Sequence, residues 1–279
     1  MDYFKGLPFE HAGIKVKGVS RAGSGTCIYV PEFKCAFDSA QGLPFCYGSP
    51  HFAITHSHMD HSGGIPFIIM QKALTQQKPG TFFMPEYMID PLTKIMQTWS
   101  DVEGHQYEYQ FVAAQAGQIY ELKAPYFLRP FLSEHRVPTL GYQMLKQSKP
   151  LKPEFIGQSQ QQIQKARQSG QQVDQTVYHP VVAYTGDTKI EFMDLSPHVL
   201  QTKILFMEVT YWDDRRSIDD ARAWGHIHFD EVLPRLSEFK GEKLVFCHTS
   251  SRYSIKEVKH ILRQKVKDPE LLSKLEVWG

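Results

Sequence analysis

Six residues constrain this chain more than any others: "HSHMDH", His56 to His61, sets three imidazoles and a carboxylate side by side. The run follows an apolar strand-like "FAIT" and precedes the pair Gly63-Gly64. On a continuing strand His56, His58 and Asp60 would share one face and His61 the other, whereas in a loop at a strand end all four can converge. A lone core histidine is usually packing, but four such residues in six positions point to metal, with zinc favoured and manganese or iron as competitors. One ion takes three or four protein ligands, so the run starts two sites and completes neither. Three residues in apolar β runs that break into turns are placed to finish them: His135 in "SEHRVP", Asp187 in "YTGDTK" and His248 in "FCHTSS".

The 279 residues suffice for one large domain with a modest insertion, so residues 1–279 are read as a single unit. Thirty-one basic against 30 acidic residues demand neither nucleic acid nor an anionic membrane as partner. Asp2, Lys5 and Glu10 interrupt the start where an export signal needs an apolar core, and no apolar run approaches the roughly 20 residues of a membrane span. The expectation is a soluble, cytoplasmic protein with no membrane partner. Cys27, Cys35, Cys46 and Cys247 show no C-x-x-C spacing, which fits buried free thiols in a reduced compartment.

Short β runs open the chain ("IKVKGV", "GTCIYV", "FKCAFD", "FAITH"), and "SGGIPFIIMQKALTQQ" reads as helix. A strand "TFFMP", a helix over about 87–100 and β runs near 106–112, 118–123 and 125–133 follow. The second half alternates buried strands ("VVAYTGD", "KILFMEVTY", "KLVFCHTS") with helices near 229–239 and 254–267, the last opening on Ser254 with Glu257 as a capping box. Two strand-rich halves with helices between and after them predict two sheets packed face to face and flanked by helices. The Gln-rich stretch at about 146–176 is too polar for the core and is expected as an exposed arm, surface helix or partly disordered insertion.

This set of motifs resembles the metallo-β-lactamase fold superfamily. Its H-x-H-x-D-H signature appears as His56, His58, Asp60 and His61; the later ligands match His135, Asp187 and His248; and Asp38, ending "CAFD", matches the early aspartate. Within the superfamily the likeness is to the tRNase Z branch: Glu208 in "LFMEVTY", His226 in "WGHIHFDE", and "CHTSSRY" holding His248, Arg252 and Tyr253. The resemblance implies an αββα sandwich of two similar halves. It further implies two divalent metal ions, most commonly zinc, with His56, His58 and His135 on one, Asp60, His61 and His248 on the other, and Asp187 between them. Asp60, Glu208 and His226 are then the catalytic residues, His226 protonating the leaving group with Glu208 behind it. Asp38 supports a ligand histidine from behind, and Arg252 either meets a substrate phosphate or clamps a carboxylate. The implied reaction is phosphodiester hydrolysis, with RNA 3′ ends or tRNA as substrate, and relatives often form homodimers.

Three departures stand out. "MEVTY" lacks a histidine before the glutamate, His228 offers a competitor two residues after His226, and the Gln-rich segment lacks the Gly-Pro motif of a tRNA-gripping arm. A hydrolase of small phosphodiesters, thioesters or lactones is therefore the alternative reading. A binding module with a decayed site is the third, and the full ligand set speaks against it. His11, His51, His105, His179, His198 and His260 carry no motif context and are assigned to surface or core.

Overall fold

The computed structural model describes residues 2–279, and among these two sheets of seven strands each follow chain order. The first sheet holds β1 (Leu7–His11), β2 (Ile14–Arg21), β3 (Gly25–Val30), β4 (Cys35–Phe37), β5 (His51–Ala53), β6 (Thr81–Met84) and β7 (Gln110–Ala113). The second holds β8 (Tyr120–Lys123), β9 (Tyr126–Ser133), β10 (Thr139–Ser148), β11 (Val177–Tyr184), β12 (Ile204–Glu208), β13 (Lys243–Cys247) and β14 (Leu275–Val277). In each sheet the first four strands form an antiparallel meander and the last three add in parallel. Parallel neighbours need crossovers. Helices supply them: Ile65–Leu74 and Ile89–Glu103 for the first sheet, Ile218–Trp224 and Ile255–Lys265 among those for the second.

Side-chain alternation turns these sheets into layers. Along β12, Ile204 and Phe206 enter the core between the sheets, while Leu205 and Met207 enter the core under the helices. Along β6, Phe83 faces the inter-sheet core, whereas Phe82 and Met84 meet Ile65, Ile68 and Met96 of the helical layer. A strand buried on both faces reads as continuous apolar sequence, which is why "ILFM" and "TFFM" were legible as strands. The result is the expected helix–sheet–sheet–helix order.

Some elements escaped the pattern. The longest strand, β10, hides behind Gly141 and Gln143; Gln143 is buried, and its amide oxygen accepts from Arg129 Nε at 3.0 Å. The helical pattern at 229–239 divides into an α-turn, Phe229–Val232, and a 3₁₀ stretch, Leu233–Glu238, since Pro234 lacks the N–H that a continuing α-helix needs. Strand β7 starts at Gln110, later than the expected 106. Ser254 and Glu257 do form the capping box.

The Gln-rich segment is an extension of the β10–β11 hairpin. The ladder continues to Ser148 opposite Val177, so residues 146–148 belong to the sheet and the arm starts after them. Its helix, Gln160–Gln168, is held by a Ser159–Gln162 capping box and buries no residue. Arg167 pairs with Asp174 at 2.8 Å, so part of the arm's positive charge is neutralised locally. No helix among the described residues is long and apolar enough to cross a membrane.

The loop after β5 is pinned by close backbone contact: a Cβ at Gly64 would come 2.1 Å from the Gly42 nitrogen and 2.5 Å from the Ser39 oxygen. Gly64→Ala must push backbone apart and is expected to lower stability by roughly 1–3 kcal/mol, read as a reduced midpoint in denaturant unfolding.

Candidate metal centre

The ends of β4, β5, β11 and β13, with the loop after β9, bring the histidines and aspartates to one edge of the sandwich. Donor atoms of His56, His58, His135 and Asp187 lie within 4.8 Å of one another, as do those of Asp60, His61 and His248. Asp187 stands between the groups. Its Oδ1 is 3.3 Å from Nε2 of both His61 and His248, and its Oδ2 is 3.8 Å from His56 Nε2 and 4.0 Å from His135 Nε2. Asp60 Oδ2 lies 3.6 Å from His61 Nε2 and 3.7 Å from His248 Nε2, and also accepts the Gly23 N–H at 2.9 Å.

The outer nitrogens are already engaged, which fixes the tautomers. His61 Nδ1 donates to Asp38 Oδ2 at 2.7 Å, and His135 Nδ1 donates to the Gly225 carbonyl at 2.7 Å. His56 Nδ1 is 2.9 Å from the Thr55 hydroxyl, which itself donates to Asp38 at 3.0 Å and so accepts from the ring. His248 Nδ1 meets the Thr210 hydroxyl at 3.2 Å, and that hydroxyl donates to Glu208 Oε2 at 2.9 Å. These four rings therefore present Nε2 lone pairs inward, as metal-binding imidazoles held by outer partners do. Inward lone pairs repel unless something positive lies between them: Nε2 of His61 and His248 are 3.3 Å apart.

Unmet demand confirms the fit for a cation. His56 Nε2 and Asp187 Oδ1 are buried with no hydrogen-bond partner. Burial holds His56 well below the ordinary histidine range, and His58 and His135 are likewise lowered by desolvation. Burial also opposes charge on His61, but Asp187 and Asp38 outweigh it and raise that ring well above the ordinary value. Asp187 and Asp60 are desolvated yet held low by the surrounding histidines. The carboxylates draw positive charge into the pocket, as a proton on His61 or as a divalent cation in its place.

Residues 51–249 match the family model for the beta-lactamase superfamily domain. The chain is 30% identical to tRNase Z TRZ2, chloroplastic, of Arabidopsis thaliana over 258 residues, covering 91% of this chain and 72% of that protein. It is 29% identical to tRNase Z TRZ1 of the same plant, covering 92% of each. The chain belongs to the tRNase Z family of that superfamily. The metallo-beta-lactamase fold protein YhfI from Bacillus subtilis superposes with a TM-score of 0.63 at 13% identity, over 95% of this chain and 96% of that one, which shows the shared fold. As a member of the tRNase Z family the chain is a metal-dependent hydrolase, and its histidine–aspartate cluster is suited to divalent metal.

The remaining site candidates fall into place around the cluster. His226 Nδ1 donates to Glu208 Oε1 at 3.0 Å and lies 3.9 Å from Asp187 Oδ2. Burial disfavours the imidazolium, but Glu208, then Asp187, overcome it and raise His226 to about 9. His228 is no competitor: it is buried, its Nδ1 accepts the Asp230 N–H at 3.2 Å, and it caps the turn Phe229–Val232. Asp38 sits behind His61 and Thr55 as expected. Arg252 is exposed and forms no ion pair among the described residues, so it is not a carboxylate clamp and its charge faces solvent. The other six histidines lie outside the metal groupings.

The sequence reading missed the hydroxyls of Thr55 and Thr210 and the carbonyl of Gly225. The available signals were adjacency, Thr55 before His56, and the two-residue spacing of Thr210 from Glu208. Both Asp38 (φ 55°) and His248 (φ 57°) adopt left-handed backbone, a conformation concentrated at functional turns. Asp38→Asn leaves one acceptor oxygen where the His61 and Thr55 N–H groups now use two, and removes the charge, so it is expected to weaken metal binding about 10- to 100-fold, measured by competition with a zinc chelator.

Proposed function

We propose that this chain is a dinuclear phosphodiesterase of the tRNase Z type, with two zinc ions, that cleaves RNA at tRNA 3′ ends. The observation that carries the reading is the Glu208–His226 pair at 3.0 Å, set against Asp187 at the edge of the metal groupings. A hydrolase of esters with good leaving groups needs no such acid, whereas expulsion of a ribose alkoxide does. The relatives' name, tRNase Z, supports the substrate class.

In this reading His56, His58, His135 and Asp187 would hold one ion and Asp60, His61, His248 and Asp187 the other. Two such ions would supply acidified water and positive charge for the non-bridging phosphate oxygens. The protein's own contribution is positional. Thr55 and Asp38 keep His56 and His61 oriented, and Thr210 ties His248 to Glu208. His226, raised to about 9, is cationic at neutral pH and delivers its proton to the departing oxygen. Arg252, without a carboxylate partner, is free to meet a substrate phosphate.

The proposal treats residues 1–279 as one catalytic domain, supported by ligands drawn from both sheets, with the arm as an appendage. Four buried, unpaired thiols support a reduced, cytoplasmic setting. It includes a homodimer, supported by a groove of about 800 Å³ beside the metal loop, where Phe67, Ile95 and Trp99 lie exposed. Trp99→Glu is expected to shift the protein to monomer in light scattering.

The decisive comparison is metal-loaded protein on 3′-extended tRNA, bis(p-nitrophenyl) phosphate and a thioester. Cleavage of the first two, abolished in Asp187→Ala, is the expected result; turnover of the thioester alone overturns the reading. His226→Ala should slow tRNA cleavage by about 10²- to 10⁴-fold but the p-nitrophenyl diester far less, because that leaving group needs no proton. Since the His226 value is raised, tRNA cleavage should fall as pH climbs through about 9, and this limb should be absent for the p-nitrophenyl diester.

A further inference from the structure

The rim of the metal centre carries a pair that the reaction just described does not use. Trp224 closes the helix Ile218–Trp224 and is 55% exposed, with the guanidinium carbon of Arg136 5.0 Å from its ring centroid. Both partners adjoin site residues: Arg136 follows His135, and Trp224 precedes His226 by two positions. Gly225 between them is left-handed (φ 78°), and its carbonyl accepts the His135 N–H at 2.7 Å. A Cβ there would lie 2.6 Å from His135 Nδ1 and 3.1 Å from Arg136 Cγ. The backbone that presents the indole is therefore the backbone that orients two site imidazoles. The helix is anchored at its other end by the Ser217–Asp220 capping box.

The exposed indole offers a flat apolar surface beside the site on which another π-face can be buried. Arg136 covers one face and forms no ion pair among the described residues. Two residues span at most about 7 Å, so the Cα of Trp224 stands within that distance of the Cα of His226.

We propose that Trp224, held by Arg136, is a nucleobase subsite: the base of the nucleotide next to the scissile phosphate stacks on the indole. Every base offers a π-face, so the contact would grip single-stranded RNA without reading its sequence. The inference rests on the phosphodiesterase reading and adds how the flanking nucleotide is held.

The test compares two ligands with the same phosphate, one with a base and one without: cytidine 5′-monophosphate and ribose 5-phosphate, titrated calorimetrically into zinc-loaded protein. The native protein is expected to bind the nucleotide about tenfold more tightly than the sugar phosphate. Trp224→Ala should bring that ratio to about one while leaving ribose 5-phosphate binding unchanged, and Trp224→Phe should retain most of it. An unchanged ratio in Trp224→Ala overturns the proposal. Equal weakening of both ligands also overturns it, because that is the signature of a collapsed rim. Hydrolysis is assayed separately on bis(p-nitrophenyl) phosphate, so failure of the phosphodiesterase reading and failure of the stacking subsite give different results.

Discussion

The buried carboxylate of Asp187 organises this molecule. At 2% exposure and with five imidazole nitrogens 3.3 to 4.0 Å away, it has exchanged water for neighbours that are themselves desolvated. An isolated charge in that position would cost several kcal/mol, so the site is stable only as a collective arrangement. The histidines come from loops of both sheets, which makes the sheet-on-sheet packing a condition of the chemistry. Tyr142 and Tyr184, fully buried beneath the centre, help to set that spacing; Tyr142 donates to the Ile54 carbonyl at 2.9 Å across the sandwich.

The two sheets share a wiring diagram, and the site uses it twice. Asp38 follows the last meander strand of the first sheet, as Asp187 follows that of the second. After the next strand in each sheet comes a threonine whose hydroxyl joins a carboxylate to an imidazole: Thr55 between Asp38 and His56, Thr210 between Glu208 and His248. The same local device thus ties His56 to the carboxylate behind it on one side, and His248 to the Glu208 that holds His226 on the other.

Much of this was legible in the sequence because it was local. His56 to His61 lie within one loop, and strands such as β6 and β12 are apolar on both faces. The remote partners His135, Asp187 and His248 were legible first as metal-capable residues where apolar β runs break into turns, and then through the family pattern. What stayed hidden depended on tertiary context. Gln143, polar in sequence, gives no sign of its burial until Arg129 is placed beside it, and a threonine hydroxyl carries no signal of its own until folding puts an imidazole on one side and a carboxylate on the other. His228 was a competitor for His226 in sequence, and the structure separates them: His226 bonds Glu208, whereas His228 caps a helical turn.

The arm grows from the end of the β10–β11 ladder opposite to Asp187. Strand β11 runs eight residues from Val177 to Tyr184, so about 25 Å of rigid sheet separates the arm's root from the metal centre. A molecule touching both must bridge that gap. Rebuilding the tip of the hairpin therefore alters groups about 25 Å away from Asp187 and none of the residues gathered around it.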